Sequence, residues 1–395
     1  MPVVDASGPA RPKTADAIEA VTEELAEVVF ASFPRRDQRT KGMRYLRGLL
    51  SARGRKSIRN IAAQVGGPGA EQSLHHFISS STWDWKPVRA ALAGHLAQLS
   101  PPEVWVVQPM TIPKAGHRSV GVDQSFDAYL GRPFRGQRAF GVWSSSQRLA
   151  SPIEWRLFLP DTWVRDGSRR RRAEVPESVT KETMEECAIA ALESVRSWHL
   201  PSRPVVLNTH VCDVASTIGR FRDAGLQVVA RVCRAARLTV RDPALPGYGE
   251  GTLSALQILG SARDLRRPAE SPAPATGSAP LVAAVRVGLA GAPSRSPAAE
   301  QGLVLLGEWD DPLGPPRSMW ITTMDTAPLG TLLRLTRHAT LTEASLRGLG
   351  EAVGLKDFEG RSFRGWHRHV TMASAAYAVA ALTGAAAAGH RPRSA

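Results

Sequence analysis

The chain has 395 residues, of which 43% are hydrophobic and 22% charged, as expected for a globular protein with a large core. Fifty Lys and Arg residues against 36 Asp and Glu residues give a net charge of +14, which favours a polyanionic partner such as nucleic acid. A proteome rich in arginine would give the same charge. No apolar run approaches the roughly 20 residues that span a bilayer. The basic residues do not lie on one sustained amphipathic helix, which argues against a membrane partner.

The first 17 residues lack a basic segment followed by an apolar one, so we expect no secretion signal. The cysteines Cys187, Cys212 and Cys233 are odd in number and lack the spacing of metal ligands. We therefore expect neither a disulfide framework nor a zinc site. Together these features predict a cytoplasmic protein, associated with the nucleoid.

The N-terminal part has the periodicity of helices, beginning with a predicted helix over residues 17–33. Ser57 is placed to cap a helix over 58–65, the glycine-rich stretch 66–69 breaks it, and a second helix is predicted over 70–81. A helix, short turn and helix after a basic approach indicate a helix-turn-helix-like element that binds DNA. An ordinary pair of packed helices has the same pattern.

From residue 104 the sequence alternates short apolar runs with turns, which predicts successive strands. A helix, a strand, a second helix and a further strand follow, as far as residue 233. Antiparallel strands followed by this alternation predict a mixed α/β sheet. The four apolar runs are VWVV (104–107), SVGV (119–122), RAFGVW (138–143) and EWRLFLP (154–160).

Residues 263–300 are rich in Pro, Ala and Ser, which predicts a partly disordered insertion around a strand over 281–290. Strands resume before residue 327, and the chain ends in helices. The predicted divisions are an N-terminal segment (1–34), a helical DNA-binding domain (35–100), the first part of an α/β core (101–238), the insertion (239–327), the C-terminal helices of the core (328–385) and a tail (386–395).

Several motifs occur in an order and spacing that resemble a known family. They are RYLRGLLS (44–51), LHHFISSSTWDW (74–85), PKAGHRSVGV (113–122), LFLPDTWVRDGSRRRRAEVPE (157–177) and GLKDFEGRSFRGWHRHVTM (354–372). The chain resembles bacterial insertion-sequence transposases of the DDE type, and the last motif resembles one subgroup of them. The resemblance implies an α/β fold in which an RNase H-like mixed sheet is flanked by helices. It also implies an N-terminal helical domain and a strand-containing insertion before the last core helix.

Members of that family hold two divalent cations with two Asp and one Glu, and the cations activate a nucleophile at a DNA phosphate. The resemblance places the three catalytic positions at Gln108, Asn208 and Glu343, and a family lysine at Gly350. Only Glu343 is acidic. We therefore expect no cofactor and no high-affinity metal site, with Mg²⁺ or Mn²⁺ at Glu343 only if activity remains.

Nearby acids offer an alternative metal set. Asp123, Asp127 and Asp213 are close in sequence to the two amide positions. Asp213 matches an acid that often follows the second family motif, which favours a structural role. Asp123 and Asp127 follow the second predicted strand and are expected to point elsewhere. Because metal geometry tolerates little displacement, a relocated site is the less favoured interpretation.

The basic clusters are expected to contact DNA through phosphates, and Trp366 through base stacking. The RRRR run over 169–172 also fits a solvated loop, and the RGWHRH stretch also fits a structural helix start with Trp366 in the core. The predicted DNA-binding residues are Arg55, Lys56, Arg59, Lys114, Arg169, Arg170, Arg171, Arg172, Arg361, Arg364, Trp366, His367 and Arg368.

These observations predict a transposase homologue that binds double-stranded DNA and has lost or largely lost its strand-transfer chemistry, either domesticated or decaying. Two alternatives stay open: an active transposase or nuclease with altered metal ligands, and a transposase-derived scaffold for protein interactions. A homodimer is also left open.

Overall fold

The computed structural model describes residues 11–127, 132–249, 251–269, 280–290 and 302–384. The helices that precede the first strand are α1 (Arg11–Val29), α2 (Arg36–Ser51), α3 (Ile58–Val65), α4 (Ala70–Ser79) and α5 (Trp85–Leu99). The predicted cap of α3 is confirmed, since the Ser57 hydroxyl accepts a hydrogen bond from the Asn60 backbone N–H at 3.2 Å.

The turn between α3 and α4 depends on glycine. Gly66, Gly67 and Gly69 have φ values of +64°, +92° and +67°, a backbone region that other residues rarely adopt. The predicted helix, short turn and helix are therefore present as a tight α3–α4 hairpin.

The central sheet has the RNase H-like arrangement that the sequence predicted. Strand β1 pairs antiparallel with β3, β3 pairs antiparallel with β4, and β5 and β6 follow parallel to β1. An additional strand, β2, pairs with the start of β3. The bounds are β1 (Val104–Pro113), β2 (Asp123–Asp127), β3 (Arg132–Ser145), β4 (Ala150–Leu157), β5 (Val205–Val211) and β6 (Val228–Val232).

One predicted strand is wrong. Residues 119–122 form a turn in which Gly121 has a φ of +76°, and the Val120 N–H donates to the Arg361 carbonyl at 3.2 Å. A left-handed glycine ends an extended run, so the strand begins only at Asp123. Strand β1 also continues past Gln108 to Pro113, because these residues stay paired with the long strand β3.

The strands between residues 237 and 322 extend the same sheet beyond β6, because β12 pairs antiparallel with β6. The disorder predicted for parts of the insertion falls largely on residues 270–279 and 291–301, outside the described residues. These elements are β7 (Arg237–Val240), β8 (Leu253–Ser254), α10 (Ala255–Ser261), β9 (Arg267–Pro268), β10 (Leu281–Leu289), β11 (Leu303–Trp309) and β12 (Ser318–Thr322).

Two C-terminal helices join the parts of the protein. Helix α11 (Leu329–Ser345) lies over β1 and β5 and runs into a π-helical turn, Leu346–Gly350. Helix α12 (Phe363–Leu382) is buried along most of its length and packs on β4 and on α1, α2, α4 and α5. The remaining helices are α6 (Asp161–Arg165), α7 (Gly167–Arg172), α8 (Met184–Arg196) and α9 (Val214–Asp223).

Because α12 contacts both the N-terminal helices and the sheet, the two share one hydrophobic core. Within the described residues, no helix combines the length and the apolar character needed to span a membrane.

Candidate active site and nucleic-acid interface

The two amide positions of the candidate active site lie side by side. Parallel pairing of β1 with β5 ends at Val107 and Leu207, so Gln108 and Asn208 are the next pair in register and share a face of the sheet. Both side chains are buried, and Asn208 Nδ2 donates to Gln108 Oε1 at 2.8 Å. The structure thus brings together two residues that are 100 positions apart in the sequence.

A third side chain, Arg231 on β6, completes the row. Leu207 pairs with Ala230, which puts Arg231 beside Asn208. Arg231 Nη1 donates to Asn208 Oδ1 at 3.2 Å. Because a guanidinium only donates, the Asn208 oxygen must face Arg231, which leaves the Asn208 nitrogen to donate to Gln108. We call Gln108, Asn208 and Arg231 the amide–arginine row.

Two contacts hold the row at its ends. The Arg231 guanidinium lies over the Trp320 ring, 5.6 Å from its centroid. The Thr342 hydroxyl of α11 approaches Gln108 Oε1 at 3.5 Å, the limit of a hydrogen bond. Helix α11 is therefore positioned directly over the row.

Glu343 follows Thr342, but its carboxylate has another partner. It pairs with Arg347 of the π-helical turn at 2.8 Å, and both side chains are exposed. Gly350 lies in the π-helical turn, where an added Cβ would approach the Leu355 side chain at 3.0 Å. A lysine at that position would therefore need Leu355 to move.

The donor set of the row does not fit a pair of divalent cations. Mg²⁺ requires anionic oxygen ligands, whereas the row offers two neutral amides and a positive guanidinium. Within the described residues, no group of three or more His, Cys, Asp or Glu side chains is placed to hold a metal ion. The charge of Arg231 therefore opposes the cations that the family chemistry uses.

The same charge affects His210, two residues beyond Asn208 on β5. Burial, and secondly the Arg231 guanidinium, lower the pKa of His210 from 6.5 to about 4. His210 is therefore uncharged at neutral pH. The surroundings of the row disfavour a further positive charge.

The alternative acids do not join the row. Asp213 caps α9, where its carboxylate accepts a hydrogen bond from the Ser216 N–H at 3.0 Å. Asp123 and Asp127 lie on β2, which is separated from β1 by β3 in the sheet. Strand β2 is therefore the second strand along the sheet from the strand that carries Gln108.

The segment 357–363, which we call the connector, brings the basic parts of the chain together. Asp357 accepts a hydrogen bond from the Lys56 N–H at 2.7 Å, and Glu359 forms an ion pair with Arg55 at 3.2 Å. The Phe358 carbonyl accepts from the Lys114 ammonium.

The later part of the connector contacts two further segments. The Arg361 carbonyl accepts from the Val120 N–H at 3.2 Å, and the Phe363 N–H donates to the Ala173 carbonyl at 2.7 Å. The connector thus contacts four segments of the chain, near residues 55, 114, 120 and 173.

Exposed arginines occupy the segments that meet at the connector. One of them, Arg118, lies in the turn after β1 and was missed by the sequence reasoning, because a single arginine in a loop carries no pattern. We call this set the basic connector face: Arg55, Arg59, Arg118, Arg171, Arg172, Arg361 and Arg364.

Three other predicted residues, Lys114, Arg169 and Arg170, are only partly exposed. Lys114 is partly buried, and burial followed by the charge of Arg55 lowers the pKa of Lys114 to about 8. Arg169 pairs with Asp166 at 3.3 Å. Arg170 donates to the Pro176 carbonyl at 2.6 Å.

Four predicted DNA contacts are buried, and we reassign them to packing. The Lys56 ammonium donates to the Ala52 carbonyl within the protein. Trp366 is 1% exposed and lies in the core, as the alternative interpretation of its motif had it. His367 and Arg368, on the same helix, are also buried. The side chains of Trp366, His367 and Arg368 are buried because α12 lies between the sheet and the N-terminal helices.

The partners of the last two residues show what they do. Arg368 donates to the carbonyls of Trp83 at 3.1 Å and of Ile78 at 3.2 Å. The His367 ring stacks on Trp85 with centroids 4.9 Å apart. These contacts fasten the end of α4 and the start of α5 to α12.

A family described as DDE superfamily endonucleases matches residues 28–289, which is more than half of the chain. The chain belongs to this superfamily. A search of curated proteins gave no match to the chain.

Proposed function

We propose that this protein is a DNA-binding relative of insertion-sequence transposases that holds DNA without cutting it. The observation that carries the proposal is the amide–arginine row. Two-metal phosphoryl transfer needs anionic ligands on adjacent strands, and the row has neutral amides bonded to each other and to a guanidinium. A substitution that merely removed the acids would leave buried amides unpaired, whereas here the amides are hydrogen-bonded.

The DNA partner is supported by the superfamily's description as endonucleases and by the net charge of +14. The basic connector face adds a local reason, because its arginines come from four separate segments of the chain and meet at the connector. Arginines that neutralise phosphates release counterions, so the affinity for duplex DNA falls with salt.

The binding arm of the proposal is tested with two variants of equal charge. The first replaces Arg171, Arg172, Arg361 and Arg364 with Ala, and the control replaces Arg196, Arg234, Arg237 and Arg263, which are exposed elsewhere. Fluorescence anisotropy with a duplex oligonucleotide should show a loss of affinity in the first variant, with a log–log salt slope reduced by roughly 0.9 for each lost phosphate contact. Equal losses in both variants, or a wild-type affinity that does not change with salt, would contradict a DNA site at this face.

The catalytic arm is tested with supercoiled plasmid in Mg²⁺ and in Mn²⁺. We expect no nicking by the wild-type protein above the level of a Glu343→Ala variant. Metal-dependent cleavage that Glu343→Ala abolishes would overturn the proposed loss of chemistry while leaving DNA binding intact.

A further inference from the structure

Cys212 and Cys233 lie at the ends of two neighbouring parallel strands. Val211 of β5 pairs with Val232 of β6, and the Cys233 N–H donates to the Val211 carbonyl at 3.0 Å. The two cysteines are therefore the next pair in register. Neighbouring strands lie about 4.7–4.9 Å apart, within the range of about 4.4–6.8 Å that disulfides require between Cα atoms.

The two side chains also interact. The Cys233 side chain is close enough to Cys212 to act on the pKa of its thiol, which agrees with the adjacent positions of the two backbones. Cys212 is exposed and Cys233 is partly exposed, which leaves the pair open to a small reagent.

The third cysteine provides an internal contrast. Cys187 is buried on α8, where it interacts with Glu182 and Arg156 rather than with another thiol. Burial raises the pKa of Cys187 well above its usual value and also shields its thiol from a reagent, so what distinguishes Cys212 and Cys233 from it is access.

We propose that Cys212 and Cys233 are an oxidation site that closes to an intramolecular disulfide. The oxidant is a small-molecule disulfide such as oxidised glutathione. One cysteine thiolate attacks a sulfur of the oxidant, which releases one glutathione thiolate and leaves a mixed disulfide. The second cysteine thiolate then attacks the protein sulfur of the mixed disulfide and releases the other glutathione thiolate. The two cysteines lose two protons and two electrons, and one oxidant becomes two thiols.

The position gives the bond a structural consequence. The register of β5 and β6 is irregular between Leu207 and Val211, just before the cysteines. The regular pairs, Val205–Leu207 with Val228–Ala230, precede this irregular segment, and a disulfide would join the two strands after it. Asn208 and Arg231 lie on the same two strands. Oxidation should therefore restrict the motion of β5 relative to β6 beside the amide–arginine row. This inference is independent of DNA binding.

Although Cys212 is exposed as a residue, its thiol is partly desolvated, and this desolvation, then the neighbouring Cys233 thiol and the Glu185 carboxylate, raise the pKa of Cys212 to about 12. The Glu185 carboxylate of α8 accepts a hydrogen bond from the Cys212 N–H at 2.8 Å. Because the thiolate is the nucleophile, oxidation should be faster at pH 9 than at pH 7.

The test treats the full-length protein with oxidised glutathione and counts free thiols in denaturant. We expect the three thiols of the chain to fall to one, with a loss of two hydrogen atoms in intact mass and a cross-linked peptide that contains residues 212 and 233. The thermal unfolding midpoint should rise on oxidation and return after reduction.

Two variants separate the outcomes. Cys187→Ser should still close the disulfide, whereas Cys212→Ser should stop at a glutathione adduct on Cys233. Retention of three thiols by the wild-type protein, a lasting glutathione adduct, or a cross-link between two chains would each overturn the proposal.

Discussion

Arg89 and Arg231 both hold a guanidinium against the central sheet, but their partners differ. Arg89 on α5 is fully buried, and it donates to the Glu154 carboxylate, to the Thr371 hydroxyl at 2.7 Å, and to the carbonyls of Trp155 at 2.7 Å and His367 at 3.1 Å. Arg89 therefore ties an N-terminal helix to β4 and to α12 through a compensated charge.

Arg231 lacks such compensation. Within the described part of the chain, its hydrogen-bond partner is the neutral Asn208, and its charge also rests on the Trp320 ring. Arg231 is only partly buried, so water screens part of its charge. One arginine thus pairs with an acid to hold the fold together, whereas the other places a positive charge beside the two buried amides, Gln108 and Asn208.

Burial acts on both members of the compensated pair. Burial lowers the pKa of Arg89 and raises the pKa of Glu154, so desolvation outweighs their mutual attraction in each case. Removing one partner of such a pair lowers the free energy of unfolding by more than the intact pair contributes to it, because the remaining charge stays buried without a partner.

The largest expected effect is on the free energy of unfolding, which the two arginines should affect to different extents. Arg89→Met should lower the free energy of unfolding by about 3–5 kcal/mol, because it leaves the Glu154 carboxylate buried without its partner. Arg231→Met should cost only about 1 kcal/mol, since it loses one hydrogen bond to a neutral group and one ring contact. Urea denaturation measures both values.

A double variant serves as the control. Adding Glu154→Gln to Arg89→Met should recover part of the loss, because no unpaired charge then remains in the core. Equal destabilisation by Arg89→Met and Arg231→Met would break the distinction between the two arginines.

The next effect concerns metal affinity. Gln108→Asp with Asn208→Asp restores two carboxylates, but we expect Arg231 to pair with them and to exclude the cation. Adding Arg231→Met should tighten Mn²⁺ binding by roughly tenfold or more, because a unit charge about 4 Å from a dication costs on the order of 2 kcal/mol even at the dielectric of water. Electron paramagnetic resonance of free Mn²⁺ measures the change.

The matched control adds Arg263→Met instead of Arg231→Met, which removes one exposed positive charge outside the row. If the Asp pair binds Mn²⁺ equally well with and without Arg231, then the guanidinium does not oppose the cation, and the interpretation of the row fails.

A smaller effect should appear in the pH dependence. His210 has a pKa of about 4 in the folded protein and about 6.5 when unfolded, so the unfolded chain binds more protons between these values. Stability is therefore lost as the pH falls from 6.5 towards 4. Arg231→Met should raise the pKa of His210 and flatten this loss, although the pKa should stay below 6.5 because burial is the larger cause.

Proton NMR of the His210 ring, assigned with a His210→Gln variant, measures that pKa. An unchanged His210 titration in Arg231→Met would mean that the charge of Arg231 does not act on the His210 ring.

The smallest expected effect tests the ring contact of Arg231. Trp320→Leu should cost the attraction between the guanidinium and the ring, about 0.5–1 kcal/mol, in addition to the lost burial of the indole. A double-mutant cycle with Arg231→Met isolates the coupling between the two side chains. A coupling energy near zero would show that Trp320 serves only to pack the sheet.

Several features of this protein are determined by the sequence alone, because they depend on a few neighbouring residues. Ser57 caps α3 through its own hydroxyl, and the glycines at 66–69 permit the turn that follows. Short apolar runs separated by turns predicted most of the core strands. The strand predicted over 119–122 was wrong because a left-handed glycine interrupts that run. The assignment of Gln108 and Asn208 to two catalytic positions of the family depends on the resemblance of their motifs and stays a prediction.

The tertiary structure decided what those residues touch. Arg231 reaches Asn208 only because β5 and β6 pair in one register, and nothing local in the sequence reports that register. Within one motif, Arg364 is exposed while Arg368, one helical turn further along the same face of α12, is buried and donates to the Trp83 and Ile78 carbonyls. The local pattern is the same basic and aromatic run for both, and the extent of α12 that the N-terminal helices cover leaves one arginine at the surface and puts the other in the core.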